Sequence, residues 1–186
     1  MKKQCMAIVG LLLMFSITMT GCSGSSDSNA SGESNRVSSQ TGGQSSEEED
    51  NIPSSNATEL TVQFGDSGDP FVMHLEDNST AAAIAGYVGT TDWRLPVYSY
   101  DVMEYYDIPS RYEIPDNSET VTQAQAGEVY YSDPNGIVLY YHDAEISEEY
   151  TLIGRFDATG EFVDAVENNP VLKGWGNQIV VISDGE

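Results

Sequence analysis

The chain is short of basic residues. Its 186 residues include 30 Asp and Glu but only seven Lys and Arg, which gives a formal net charge of −23 at pH 7. From Thr58 onward the basic side chains are Arg94, Arg111, Arg155 and Lys173. Binding to phosphate backbones needs a positive surface, so this composition excludes nucleic acid as a partner.

Cysteine and histidine are also scarce. No cysteine follows Cys22, and the two histidines are His74 and His142. The C-terminal part therefore has neither disulfides nor cysteine-based metal sites, and two isolated histidines do not make a zinc site. We expect no metal and no cofactor.

Long apolar runs are missing except near the N-terminus. Lys2 and Lys3 precede an apolar stretch from Met6 to Met14, which is too short to span a bilayer as a helix. A positive end, a short apolar core and small residues before an abrupt change of composition are typical of a secretory signal peptide. We assign residues 1–21 to it.

The end of this segment, Thr18–Cys22, resembles the lipobox of bacterial lipoproteins, although Met19 stands where Leu is usual. In that family the cysteine is diacylated, for example with palmitate, and becomes the new N-terminus. The resemblance implies a lipid anchor at Cys22, with the chain held on the extracytoplasmic face of the cell membrane. The alternative is a signal peptide without lipidation, in which Cys22 is incidental.

Residues 22–57 have the composition of a flexible stalk. They are rich in Ser and Gly, contain no aromatic residue and include the acidic run Glu47–Asp50. Such a stretch buries too little apolar surface to offset its ordering entropy. A coil of this length has an r.m.s. span of about 30–35 Å. One domain of ordinary size, residues 58–186, then follows.

The pattern of residues 58–186 predicts a mostly β domain with two short helices. Apolar alternation and turn residues predict strands at Glu59–Phe64, Pro70–Leu75, Trp93–Tyr100, Glu128–Ser132, Ile137–Tyr141, Thr151–Phe156 and Gln178–Ser183. Helices are expected over Thr80–Val88 and Glu161–Glu167. This order favours a closed antiparallel barrel plugged by helices, because closure removes exposed strand edges.

Two local features are interpreted within this pattern. Asp133–Gly136 suits a type I turn with Gly136 in a left-handed conformation. The stretch that contains Gln123 and Gln125 is interpreted as a connection.

A series of short motifs resembles bacterial cyclophilin-like proteins in order and spacing. The motifs are Asp77–Ala81, similar to the family's DNPTA helix start, then Leu95–Pro96, Tyr106–Pro109, Ala126–Val129, Val138–Tyr141 and Leu152–Asp157. The resemblance implies an eight-stranded barrel capped by two short helices, in agreement with the periodicity.

The resemblance does not imply an activity. True cyclophilins isomerise X–Pro bonds with an arginine in a Phe-His-Arg motif and a glutamine in a Gln-Gly-Gly-Asp motif, and this chain has neither. We therefore expect no catalytic residues and interpret the domain as a binding or interaction module. The alternatives are a divergent peptidyl-prolyl isomerase that assists folding outside the membrane, and a purely structural envelope protein.

Aromatic and rare basic residues are the candidates for binding. Neighbouring residues in a strand point to opposite faces, so adjacent tyrosine pairs place one ring inward and one outward. The binding candidates are Arg111, Tyr112, Tyr130, Tyr140 and Arg155. Tyrosine offers apolar area together with a hydroxyl, which suits an extended peptide or a small apolar ligand. The alternative is that the tyrosines form core and the arginines only bridge carboxylates.

Overall fold

The computed structural model describes residues 52–185, so the predicted signal peptide and Cys22 lie outside the described residues. The described part is mostly β, with two short helices. Its elements are β1 Glu59–Phe64, β2 Pro70–Leu75, α1 Ser79–Val88, β3 Trp93–Ser99, β4 Met103–Asp107, β5 Glu119–Ala124, β6 Glu128–Ser132, β7 Gly136–Tyr140, β8 Ala144–Arg155, α2 Gly160–Glu167 and β9 Ile179–Ser183. Neither helix in residues 52–185 is long and apolar enough to cross a membrane.

Eight of the strands close into an antiparallel barrel, as the sequence predicts. They follow one another in the order β2, β1, β9, β3, β4, β7, β6, β8, and β8 pairs with β2 to close the circle. The ninth strand, β5, lies outside this circle and pairs with β8. Closure leaves the barrel without free edges, while β5 adds one.

The length of β8 explains how β5 is attached. β8 has 12 residues, more than twice as many as β6 or β7. Its first part, up to Tyr150, pairs with β5, and its last part, from Thr151, pairs with β6. The first part of β8 and β5 therefore form a two-stranded ribbon that continues out of the barrel wall.

Both helices contribute to the barrel core. Asn78 caps α1 by accepting a hydrogen bond from the Ala81 amide at 2.9 Å, and Ile84 and Val88 of α1 are buried. Thr159 caps α2 in the same way, and Phe162 of α2 stacks on Phe156 at 4.8 Å. These caps satisfy amide groups that the first helical turn leaves unpaired.

Tyrosines alternate between two apolar clusters, as the sequence predicts. Tyr106, Tyr131 and Tyr141 lie in the core inside the barrel. Tyr130 and Tyr140 lie in a second cluster with Ala124 of β5 and Tyr150 of β8. The ribbon thus buries the outward tyrosines of β6 and β7.

Three strand segments differ from the sequence-based prediction. The pattern does not predict β4, β5 or the first part of β8 as strands, and Gln123 belongs to β5 rather than to a connection. Most residues of β5 are exposed, so the strand lacks the apolar alternation that marks a strand on a core.

The hairpin turn before β7 also differs. The peptide bond between Asp133 and Pro134 is cis, and Gly136 does not have a positive φ, so the expected type I turn with a left-handed glycine is wrong. The ring of Tyr105 lies where a Cβ on Gly136 would be, which accounts for glycine at this position.

Residues 52–57, within the stretch predicted as stalk, pack against α1. The Ser55 amide donates to the Ala82 carbonyl at 3.0 Å. The backbone of Pro53 passes so close to Gly86 that a Cβ there would lie 2.6 Å from its carbonyl carbon. Glycine in α1 therefore permits this contact.

Candidate functional site

The ribbon edge borders a groove on the outside of the barrel. One wall consists of consecutive β5 residues, Glu119–Gln123, together with Gln125, and the other consists of Glu128, Tyr130, Leu152 and Arg155. The groove has a volume of about 310 Å³. Its first wall is a strand edge and its second is the barrel surface.

β5 has an unpaired edge. Among residues 52–185 it pairs with no strand other than β8, and it is the last strand in the sheet order. The register shifts between Val121 and Gln123, so Thr122 has no β8 partner. An edge strand presents unpaired N–H and C=O groups that another extended chain can join.

The second wall of the groove contains a charge-compensated network. The Tyr130 hydroxyl donates to Oε2 of Glu128 at 2.5 Å, and Nε of Arg155 donates to Oε1 of Glu128 at 3.4 Å. Arg155 also pairs with Glu76. Burial, and then the bond to Glu128, raise the pKa of Tyr130, which keeps its hydroxyl neutral and donating.

Of the five predicted binding residues, Tyr130 and Arg155 line this groove. Tyr140 is not among the residues that line it; its ring packs against that of Tyr130 with centroids 6.0 Å apart, and both tyrosines are only 3% exposed. Tyr140 therefore packs beneath the ribbon and supports the groove without facing it.

Arg111 and Tyr112 lie at a different place. Tyr112 contacts the rings of Tyr87 and Trp93 at centroid distances of 4.6 and 5.1 Å. It also lines an open pocket of about 450 Å³, which Ile52 from the N-terminal segment helps to form. The structure thus separates these two residues from the groove.

Arg111 has one partner in the described part of the chain. Its guanidinium lies 4.6 Å from the centroid of the Tyr112 ring, and Nη2 donates to the Tyr112 hydroxyl at 2.8 Å. No ion pair joins Arg111 to a carboxylate within residues 52–185. The alternative that Arg111 bridges carboxylates finds no support in these contacts.

The sequence analysis did not connect Gln123 and Gln125 with Arg155, although all three line the groove. The sequence pattern did not reveal the ribbon, because its residues are largely polar and lack the apolar alternation of a strand. Thr120 and Glu149 face each other across β5 and β8, and both are exposed polar residues that also suit a loop.

A buried carboxyl group was also missed. Glu104 is 1% exposed and lies inside the barrel beside Tyr106, whose hydroxyl donates to its Oε2 at 2.7 Å. Burial raises the pKa of Glu104 from 4.5 to about 7, although the bonds from Tyr106 and Ser99 lower it in part. The sequence could have indicated this burial, because Glu104 and Tyr106 are two residues apart and residues two apart share a strand face.

Within residues 52–185, no group of three or more His, Cys, Asp and Glu side chains could hold a metal ion. The two histidines each contact one carboxylate: His74 lies 3.2 Å from Glu59 and His142 lies 3.0 Å from Glu167. The chemistry of the groove is therefore that of hydroxyl, amide, carboxylate and guanidinium groups.

Two solved structures are similar to this chain at low sequence identity. The complex of McbB with tryptophan shares 15% identity at a TM-score of 0.49, and the match covers 68% of this chain. The present chain spans 45% of that protein's length. The hypothetical protein AF2241 from Archaeoglobus fulgidus shares 18% identity at a TM-score of 0.47, with 72% of this chain and 95% of that protein covered.

No curated protein sequence matches the chain significantly. A family model, that of the cyclophilin-like family, matches residues 62–173. This range runs from β1 past the end of α2 and includes every motif on which the resemblance rests. The chain belongs to the cyclophilin-like family.

Proposed function

We propose that the chain is an extracytoplasmic lipoprotein whose cyclophilin-like barrel binds an extended peptide segment without catalysing a reaction. The observation that carries the binding role is the unpaired edge of β5, of which five consecutive residues, Glu119–Gln123, line one groove. A peptide can add to such an edge through its main chain while alternate side chains enter the groove.

Charge indicates the chemistry of the peptide. Glu119 on β5 and Glu145, Glu148 and Glu149 on β8 all lie on the ribbon, which contains no basic residue. Arg155 is paired with Glu76 and Glu128. The ribbon therefore favours a basic partner and repels an acidic one.

A titration with synthetic peptides tests this proposal. The protein is a soluble chain of residues 23–186, and the probe is an eight-residue peptide that alternates Lys with Val or Thr. We expect saturable binding, with backbone amide shifts in NMR spectra at residues 119–123. The matched peptide with Glu in place of Lys should bind at least about tenfold more weakly, which corresponds to about 1.4 kcal/mol.

One substitution separates strand addition from other modes of binding. Thr122 faces no β8 residue in the strand register, so Thr122→Pro removes a β5 amide at a position outside the paired register. We expect Thr122→Pro to abolish binding and the control Thr122→Val to retain it, with similar melting temperatures. Equal binding by both variants contradicts main-chain recognition at β5.

The proposed anchor has its own test. Cys22→Ala removes the thiol that would be acylated, so we expect loss of palmitate incorporation and release of the protein from the membrane fraction. Cys5→Ala is the matched control, because Cys5 lies within the proposed signal peptide. A Cys22→Ala protein that still incorporates palmitate and sediments with membranes contradicts the anchor.

A second function, peptidyl-prolyl isomerisation, is favoured by one observation: Arg155, Gln123 and Gln125 line the same groove. Cyclophilins also combine an arginine with a glutamine. The two carboxylates on Arg155 argue against it, because they compensate the charge that would act on the twisting amide. A proline-isomerisation assay in which Arg155→Lys loses a measurable rate would support this function; no rate above buffer excludes it.

A further inference from the structure

The loop between α2 and β9 exposes large apolar side chains. Trp175 is 65% exposed and Val171 is 61% exposed, and they are the two most exposed large hydrophobic side chains in residues 52–185. They lie four positions apart in the stretch Pro170–Asn177, which we call the Trp175 loop.

Backbone hydrogen bonds close the Trp175 loop. The Leu172 amide donates to the Asn177 carbonyl at 2.9 Å, and the Trp175 amide donates back to the Leu172 carbonyl at 3.1 Å. Gly174 and Gly176, on either side of Trp175, have φ of +93° and +77°, values that glycine adopts without strain. The indole is therefore presented on a defined turn.

The sequence of this loop differs in charge from the rest of the domain, although Asp69, Glu161 and Asp164 line a pocket with Pro170 at its start. No Asp or Glu occurs from Asn168 to Ser183, the longest such stretch after Thr58, and the one charged residue in it is Lys173. In sequence, the loop is thus a neutral to positive segment of an acidic domain. A surface with phosphate groups meets little repulsion from it.

We propose that the Trp175 loop docks onto the bilayer that carries the Cys22 anchor, with Trp175 in the headgroup region. This inference rests on the proposed lipid anchor. Tryptophan is enriched at the membrane–water interface, where its ring is apolar and its N–H stays hydrated. Val171 and Leu172 add apolar area to the contact, and the Lys173 ammonium reaches phosphate from a flexible stem.

The tether is long enough for this contact. Thirty residues, Cys22–Asn51, separate the anchor from Ile52, which lies beside Tyr112 in the described structure. Extended, they reach up to about 100 Å, while as a coil they span about 30 Å. The anchor therefore keeps the loop at high effective concentration next to the lipid, so weak insertion suffices.

The acidic remainder of the domain limits the kind of surface. With a formal charge of −23 on the chain, anionic lipids repel the protein as a whole. We therefore expect docking on zwitterionic phosphatidylcholine and weaker docking as phosphatidylserine is added. This lipid dependence is opposite to that of a basic amphipathic segment.

Tryptophan fluorescence tests the inference, because the chain has two tryptophans in different surroundings. Trp93 is 3% exposed and gives a constant background, which a Trp175→Phe variant measures. The acylated full chain is reconstituted in phosphatidylcholine vesicles with or without acyl chains brominated near the headgroup. We expect the Trp175 emission to be blue-shifted and mostly lost in brominated vesicles.

Two variants and a flotation assay make the result decisive. Lys173→Glu should restore the unquenched emission of Trp175, whereas Tyr100→Ser, which removes an exposed ring beside Asp101, should leave quenching unchanged. Protein that floats with the vesicles while Trp175 stays unquenched overturns the docking and leaves the anchor intact. Protein that does not float overturns both. A blue shift that grows with protein concentration without vesicles indicates a second copy as the occupant and also overturns the docking.

Discussion

The carboxyl group of Glu104 lies inside the barrel, where Ser99 and Tyr106 donate hydroxyl hydrogen bonds to it and no cation of residues 52–185 pairs with it. The cost of burying a charged group explains why its pKa rises to about 7 despite those donors. Burial therefore keeps the protonated form of Glu104 populated at pH values where an exposed carboxyl group is ionised.

This burial predicts how stability depends on pH. The folded chain holds the Glu104 proton up to about pH 7, while an unfolded carboxyl loses it near 4.5. The stabilisation is therefore complete below pH 4.5 and is lost as the pH rises through 7, a change of about 3 kcal/mol. We expect Glu104→Gln to remove this loss when unfolding by urea is measured from pH 4 to 8.

The exposed residue Glu161 provides the control for Glu104. Glu161→Gln removes the same charge at the start of α2, so the variant should keep the wild-type loss of stability between pH 4.5 and 7. A Glu104→Gln profile parallel to the wild type shows that this carboxyl titrates as an ordinary exposed acid.

Two glycines give a second prediction at this scale. Gly127 has a φ of +91°, and a Cβ there would lie 2.5 Å from the Phe156 carbonyl oxygen, which is fixed backbone. At Gly136 the obstacle is the outer part of the Tyr105 ring, a side chain and not fixed backbone, and Gly136 does not have a positive φ. We expect Gly127→Ala to cost at least about 2 kcal/mol and Gly136→Ala less than about 1 kcal/mol in urea unfolding. Equal costs contradict the difference in backbone conformation.

Elements that lie on the core are the ones that could be predicted from the sequence. β1 alternates buried and less buried residues, and β9 is buried along four of its five residues, so both carry a strand signal. β5 does not, because it buries one side chain, Ala124, and leaves Thr120 and Gln123 in solvent. The groove depends on β5 and therefore could not be predicted from the pattern.

The segment of residues 52–57 offers a test at the scale of elements. It contributes the Ser55 to Ala82 hydrogen bond and the contacts of Ile52 and Pro53 with the domain. A chain that starts at Thr58 loses them, so we expect it to fold but to be about 1–2 kcal/mol less stable than a chain that starts at Ile52. Identical melting temperatures mean that the segment adds nothing to the fold.

At the scale of the whole molecule, the order of motifs carries more information than any one motif. The sequence predicts an eight-stranded barrel with two helices, and both the structure and the family match confirm it. The binding role of the five residues stays a prediction: Tyr130 and Arg155 line the groove, while Tyr112 and Arg111 lie elsewhere. Their positions follow from the path of the chain around the barrel, which local patterns do not encode.

The proposed function assigns three parts to one chain: an anchor at Cys22, a stalk that keeps the barrel near the membrane, and a strand edge that takes a peptide. The edge is the central claim, since the anchor and stalk would serve any domain. It also makes the most specific statement about hydrogen bonds, because strand addition pairs amides that are unpaired in the free protein.

Hydrogen–deuterium exchange of the soluble chain, with and without the saturating Lys-containing peptide, tests that claim most directly. The account predicts slower exchange of amides in Glu119–Gln123, little change around Tyr112, and no slowing with the Glu-containing peptide. Slowing confined to residues 110–115 and 131–135 would place the peptide in the Tyr112 pocket instead, and unchanged exchange in β5 at saturation would contradict the account.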